Sequence, residues 1–387
     1  MKERISRKVK SLSPSGIRAF FEYASGVPGI LSLGVGEPDF VTPKPFLDSA
    51  ISSLTNGKTQ YTSNFGLLEL REEIVRHTEK IGGPKYNPKT EVCVTVRVSE
   101  GVDIAMRALL DEGDEVILAD PGYVSYEPMI KMAGGVPVFV ATDESNGFRL
   151  SAESIQAAVT PKTKVLLLAY PANPTGMSIP GDTLKEIAEI VKANDILVVS
   201  DEIYDRLTFE GEHTVFSSIE GMKERTIYLN GFSKAYAMTG WRVGYVCAHE
   251  DLIEAMMKVH QYSIMCAPTM AQYAALEALR SGWGEMEKMV ASYKERRDLI
   301  KDLLSDVGFP MPMPDGAFYA FPSIASTGLS SDEFCQRLLK EQKVVAVPGS
   351  AFGKQGEGHI RLCYAASVET LKEAFERMKV FLEGIKG

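Results

Sequence analysis

Asn230-Gly231-Phe232-Ser233-Lys234-Ala235-Tyr236-Ala237-Met238-Thr239-Gly240-Trp241-Arg242-Val243-Gly244-Tyr245 links two apolar runs that read as strands, Thr226 to Asn230 and Val243 to Cys247. It sets a lysine among small and apolar residues, with a serine directly before it and an arginine eight residues later. A lysine drawn partly out of water changes its pKa readily and can condense with an aldehyde, while a hydroxyl and a guanidinium suit a phosphate. One short loop thus offers what an aldehyde carrying a phosphate requires. By itself a Ser-Lys pair beside glycines reads equally well as a surface turn, so the rest of the chain has to decide.

Outward from that loop, residues 90 to 247 alternate short Val/Ile/Leu runs with helical patterns. The runs are Val92 to Val96, Glu115 to Ala119, Val136 to Val140, Lys164 to Ala169, Ile196 to Ser200, Thr226 to Asn230 and Val243 to Cys247. Nearly continuous apolar strands separated by helices predict an α/β fold, a mainly parallel seven-stranded sheet covered by helices on both faces. Ligands of such sheets bind beyond the carboxyl ends of the strands. Beyond residue 250 the pattern predicts helices over Asp251 to Ser263, Thr269 to Ser281 and Trp283 to Val307. A smaller α+β part follows, with strands near Ala317 to Phe321, Val344 to Val347 and Gly358 to Tyr364, and helices over Ser331 to Lys340 and Val368 to Leu382.

Ser233-Lys234 with Gly240-Trp241-Arg242-Val243-Gly244 resembles the cofactor-lysine signature of the class I/II pyridoxal-phosphate aminotransferases, and other segments resemble the same family in the same order. They are Gly34-Val35-Gly36-Glu37-Pro38-Asp39-Phe40, Tyr170-Pro171-Ala172-Asn173-Pro174-Thr175-Gly176 and Asp201-Glu202-Ile203-Tyr204. The chain is similar to the archaeal aspartate/aromatic group. The resemblance implies fold type I, with an N-terminal arm and part of a small domain in residues 1–45, a large cofactor-binding domain in 46–285 and a small domain in 286–387. It also implies pyridoxal 5'-phosphate attached to Lys234, the lysine then serving as base and acid, with Ser233 and Arg242 on the phosphate.

Other roles implied by the resemblance fall on the loops after the strands. Val98, Ser99 and Glu100 open a helix whose free N–H groups suit the phosphate. Arg97 stands where relatives usually have glycine or another small residue, and it either adds a cation near the phosphate or points to solvent, the second reading being slightly preferred. Tyr123 stacks on the pyridine ring, Asn173 and Tyr204 reach its 3-oxygen, and Asp201 faces the ring nitrogen. A carboxylate at the end of a buried strand is costly unless paired, so a protonated nitrogen suits it, although an aspartate there also reads as a helix N-cap. Gly36, Asn173 and Arg361 meet the substrate carboxylate, Arg361 through a guanidinium fork. Tyr61 enters the site of a partner subunit, which makes the protein a homodimer. Singly, Gly36 reads as a turn glycine, Tyr61 and Tyr123 as ordinary tyrosines and Arg361 as a surface charge.

Side-chain selectivity follows from the same comparison. Ser13-Pro14-Ser15-Gly16-Ile17-Arg18 resembles the segment that closes over the substrate, with apolar Ile17 where aspartate-selective relatives can be polar. Ser99 replaces a lysine that some of those relatives carry, so the wall is uncharged unless Arg18 or Arg97 swings in. Tyr61 and Phe352 add aromatic surface. The expected reaction moves the amino group of an aromatic amino acid or aspartate to a 2-oxo acid, with 2-oxoglutarate as acceptor.

Composition narrows the field. The 387 residues carry 42 basic and 51 acidic side chains, a net charge of -9 that argues against a nucleic-acid surface. The odd number of cysteines, without a Cys-x-x-Cys pair, suggests neither a disulfide framework nor a thiolate zinc site, and points to a reducing cytoplasm. The basic stretch Met1 to Lys10 is not followed by an apolar segment of signal-peptide length, no later apolar run approaches a membrane span, and the histidines show no metal-ligand spacing. Gly349 to Gln355 is too short for a nucleotide loop, and Gly231 to Ala235 lacks the second glycine of a hydrolase elbow. A β-lyase sharing the cofactor residues remains an alternative. So does a ligand-sensing regulator, though Met1 to Gly29 is too short for a helix-turn-helix domain.

Overall fold

Residues 2–12 and 28–386 are described by a computed structural model. Its strands, in chain order, are β1 (Leu31–Ser32), β2 (Val92–Thr95), β3 (Glu115–Asp120), β4 (Val136–Ala141), β5 (Thr163–Ala169) and β6 (Leu197–Asp201). Then come β7 (Thr226–Gly231), β8 (Gly244–Cys247), β9 (Tyr319–Ala320), β10 (Val344–Val345), β11 (Val347–Pro348) and β12 (Ile360–Cys363). The seven apolar runs between residues 90 and 247 form one sheet in the order β2-β8-β7-β6-β5-β3-β4. Alternation explains why both faces are covered. Val116, Leu118, Val165, Leu167 and Val199 pack in one apolar layer with Ile104, Met106 and Ile253, whereas Ile117, Leu166, Leu168 and Val198 pack in another with Ile155, Leu184 and Ile187. Each fully buried aliphatic side chain contributes about 1.5–3 kcal/mol, so exposing either face would cost far more than any local propensity could return.

All pairs in this sheet are parallel except those of β8, which runs antiparallel to β2 and to β7. The segment between β7 and β8 holds no α-helix, and without a crossover helix the chain turns back rather than repeating its direction. Gly244, at the start of β8, is paired with Thr95 at the end of β2 and with Gly231 at the end of β7. The segments leaving β2 and β7 therefore meet the segment entering β8 at one edge of the sheet.

The C-terminal region is tied to the N-terminal one. β1 pairs with β10 in parallel, and β12 lies between β11 and β9 in an antiparallel sheet. The predicted single strand Val344 to Val347 is therefore two: it leaves β1 at Ala346 and joins β12 at Val347. The Cys363 N–H donates to the Leu33 carbonyl at 2.7 Å, which brings Gly34 and Gly36 alongside β12. The long helix spans Trp283–Asp306, close to its predicted bounds, and the last helix continues to Lys386. Among the described residues no helix is long and apolar enough to cross a membrane.

Candidate active site

A cavity of about 730 Å³ opens at the carboxyl edge of the large sheet. Of the residues singled out from the sequence, Gly36, Val98, Ser99, Tyr123, Asn173, Asp201, Tyr204, Ser233, Lys234, Arg242 and Arg361 line it together. Three do not. Ile17 lies outside the described residues. The Glu100 side chain turns back to accept from the Val96 N–H and to meet His260 Nδ1 at 2.7 Å. Tyr61 is 80% exposed and is absent from the wall formed by its own chain. Phe352, expected to add aromatic surface, is buried against Phe321 and the Arg361 guanidinium instead.

Lys234 leaves β7 into the cavity, where its amine donates to the Gly36 carbonyl at 2.6 Å and lies 5.7 Å from the centre of the Tyr204 ring. Loss of hydration lowers the amine to about 8, with Arg361 and Arg242 adding to the fall and Cys363 and Glu37 opposing it. A lysine in that state has an accessible neutral form near neutral pH, which a solvated one lacks.

Asp201 is the last residue of β6 and is 7% exposed. The Tyr126 hydroxyl donates to Oδ2 at 2.7 Å and the Ile203 N–H donates to Oδ1 at 3.2 Å. Burial pushes the carboxyl up to about 6 against those two bonds. The N-cap reading is set aside, because no α-helix starts after β6; the next turn is the 3-10 segment Asp205–Leu207, capped at Tyr204. Glu202, one residue on, has a different fate. Ser200 Oγ at 2.7 Å, His213 Nε2 at 2.6 Å and the Tyr170 hydroxyl at 3.2 Å satisfy it away from the cavity. Asp201 is the carboxylate of that pair that lines the cavity.

Arg361, only 3% exposed, is fixed before any ligand arrives. Nη1 donates to Asn173 Oδ1 at 2.9 Å and Nη2 to the Gly34 carbonyl at 2.6 Å, while Nε has no partner among the described residues. The guanidinium lies 4.5 Å from the centre of the Tyr319 ring and 4.9 Å from that of Phe352. Tyr319 in turn shares a 2.7 Å hydrogen bond with the Tyr204 hydroxyl. A Cβ on Gly36 would lie 2.2 Å from the Tyr319 hydroxyl, so the absence of a side chain there makes room for this tyrosine.

Arg242 and Arg97 line the same cavity. Arg242, in the left-handed region at φ 57°, donates from Nη1 to the Thr239 carbonyl. Burial holds its guanidinium down at about 10, helped by the charge of Arg97. Arg97 is the first residue of the helix Arg97–Leu109, in the segment from which the sequence has this helix open. It is exposed and also belongs to the cavity wall, a position compatible with both readings the sequence left open.

Sequence reasoning missed Tyr126, Tyr319, Thr239 and Ile203, all on the wall. A second tyrosine three residues after Tyr123 was a signal for the first. Its bond to a carboxylate 75 residues away was not.

The family model described as Aminotransferase class I and II matches residues 28–378. The chain is 43% identical to aromatic-amino-acid aminotransferase 2 of Thermococcus litoralis over 382 residues, 98% of each protein. It is also 43% identical to an aspartate aminotransferase of Pyrococcus abyssi, again over 98% of both. A crystal structure titled Pyrococcus protein A1 superposes with a TM-score of 0.96 at 43% identity, covering 98% of each chain.

Proposed function

The chain belongs to the class I and II aminotransferases, pyridoxal-phosphate enzymes of fold type I, and from that premise we propose that it transfers the amino group of an aromatic amino acid or aspartate to a 2-oxo acid, with 2-oxoglutarate as acceptor and the cofactor carried covalently by Lys234. The observation that carries this reading is the convergence of Lys234, Asp201 and Arg361 on one cavity.

The residues present fit the cofactor. The amine held near 8 suits its aldehyde, and the buried carboxyl of Asp201 suits its ring nitrogen. Arg242, Ser233 and the N–H groups opening the helix Arg97–Leu109 suit its phosphate. Bound there, pyridoxal phosphate supplies an electron-withdrawing ring that accepts the electron pair left on breaking the substrate Cα–H bond.

Everything else is work for the chain. Arg361 and Asn173 grip the α-carboxylate and so aim the α-proton. Lys234 Nζ takes that proton and carries it through the 1,3-shift. Asp201, kept ionised by the cation it faces, holds a proton on the ring nitrogen, and the Tyr126 hydroxyl fixes the orientation of its carboxylate. Tyr204 donates toward the 3-oxygen, oriented by Tyr319. Exposed Tyr61 is presented to the cavity of a second copy, which makes the working unit a homodimer.

Asp201→Asn keeps the shape of the side chain and removes its charge. Proton abstraction should slow on the order of a hundred- to a thousandfold, as for other losses of preorganised electrostatics, and the isotope effect with α-deuterated substrate should rise. Matching losses in binding and rate would instead mark Asp201 as a structural residue.

Donor choice is tested by kcat/KM for phenylalanine or tyrosine against aspartate, with 2-oxoglutarate as acceptor. With Ser99 rather than a cation on the wall, a second carboxylate is poorly paired, and the aromatic donors should be used at least as well as aspartate. A preference of more than about a hundredfold for aspartate, some 2.7 kcal/mol, would sink that selectivity. Pyruvate and ammonia formed from cysteine-type substrates in place of transamination would overturn the reaction itself.

A further inference from the structure

We propose that Arg97 is a second guanidinium clamp on the cofactor phosphate, placed beside Arg242 by the pairing of β8 with β2. This rests on the reading above that the phosphate lies at the N-terminus of the helix Arg97–Leu109. The geometry begins with Gly244. A Cβ there would lie 2.8 Å from the Arg97 carbonyl carbon and 2.9 Å from the Val98 nitrogen, so the start of β8 packs directly on the Arg97–Val98 peptide. Because Gly244 pairs with Thr95, the segment two residues beyond Thr95 and the residue two before Gly244 emerge side by side. Those positions are Arg97 and Arg242, and both side chains line the cavity.

Two like charges brought together in this way repel, and Arg242 is pushed further down by Arg97 with no carboxylate among its charged neighbours. Arg97 makes no ion pair with a carboxylate among the described residues. The helix N-terminus adds the partial positive charge of its free N–H groups to the same place. A single arginine and a helix end answer roughly one and a half charges, whereas a phosphate monoester carries about -1.5 to -2 near neutral pH. A second guanidinium completes the neutralisation of the phosphate, and the phosphate in turn offsets the repulsion between the two arginines.

Arg97 also adopts φ 72°, the left-handed region in which a side chain is unfavourable and glycine is at ease. A cation kept there at a conformational cost is expected where it meets an anion. The left-handed backbone gives the test an internal control, because glycine at this position relieves the chain while removing the charge.

The experiment strips the protein of cofactor and titrates it with pyridoxal phosphate, and separately with pyridoxal, which lacks the phosphate. Binding is read by cofactor absorbance at low and high salt, and thermal stability of the stripped protein is followed. Arg97→Gly should raise the Kd for pyridoxal phosphate about ten- to a hundredfold, the loss of a charged hydrogen bond. It should flatten the salt dependence, leave the pyridoxal Kd within about twofold, and hold or raise the stability of the stripped protein. Arg97→Lys should recover part of the affinity. An unchanged Kd for pyridoxal phosphate, with a selective loss in kcat/KM for dicarboxylic substrates, would overturn the proposal and assign Arg97 to the substrate. Equal losses with pyridoxal and pyridoxal phosphate would overturn it in favour of a structural role. Arg242→Ala separates the two layers of argument: if it too leaves the Kd for pyridoxal phosphate unchanged, the phosphate is not at this helix end.

Discussion

Lys234→Ala should lower transamination by about four orders of magnitude, the upper range for removing a positioned acid–base group, while the protein still folds and still binds pyridoxal phosphate. Folding survives because the polar end of the lysine contributes only one hydrogen bond, to the Gly36 carbonyl. Cofactor binding survives because the phosphate and ring contacts are proposed to come from Arg242, Ser233, the helix N-terminus and Asp201. The bound cofactor should keep the absorbance of the free aldehyde rather than that of a lysine adduct. Wild-type loading should also depend on pH. Attack on the aldehyde needs the neutral amine, and with the group lowered to about 8 the rate of loading should climb as pH rises toward 8 and then level off. A variant that turns over within tenfold of wild type would remove Lys234 from the chemistry. A loading profile still climbing past pH 10 would mean that the amine behaves as though fully hydrated.

Arg361→Ala comes next in expected size. Losing one partner of a buried charged pair costs about 2–5 kcal/mol, and at 1.4 kcal/mol per decade that is a fall in kcat/KM of roughly thirty- to several-thousandfold. The guanidinium is anchored from one side by Asn173 and Gly34 and flanked by Tyr319 and Phe352, so it needs no rearrangement when a carboxylate arrives. Arg361→Lys should not restore the activity, because an ammonium cannot reproduce the planar fork. Amines that lack the α-carboxylate should be almost indifferent to either substitution. If alanine at 361 leaves amino-acid kinetics unchanged, the carboxylate is held elsewhere.

The large sheet was legible because its evidence is local. Each central strand repeats an apolar side chain on both faces, and each of the seven runs was found within a residue or two of its observed bounds. The residues just past the strand ends could then be inspected as a group, and most of the candidate site lies there. Where pairing depended on distant segments the reading faltered. Val344 to Val347 looked like one strand because its apolar run is continuous, and only the partners on either side of Ala346 divide it into two.

Gly36 shows the limit in a single residue. The sequence offered a turn or a close approach to substrate, and the structure adds a third cause, the Tyr319 hydroxyl where a Cβ would be. Tyr126 on Asp201 and Tyr319 on Tyr204 are bonds across 75 and 115 residues, and no periodicity within a strand or helix encodes them. Glu100 was read for its backbone N–H at the helix start, and only the structure shows that its carboxylate accepts from the Val96 N–H.

By itself, then, the sequence determined which stretches are strands and helices, and that a lysine, an aspartate and an arginine capable of this chemistry stand beside the ends of buried strands, with a second arginine inside one. The spacing of apolar residues and the cost of burying a lone charge act over a few residues and are written in the chain directly. Tertiary structure alone decided which groups face one another. The insertion of antiparallel β8 between β2 and β7 sets Arg97 beside Arg242, and the pairing of β1 with β10 carries Gly34 to Arg361. Those juxtapositions depend on strand order and register, which arise from the packing of the whole chain.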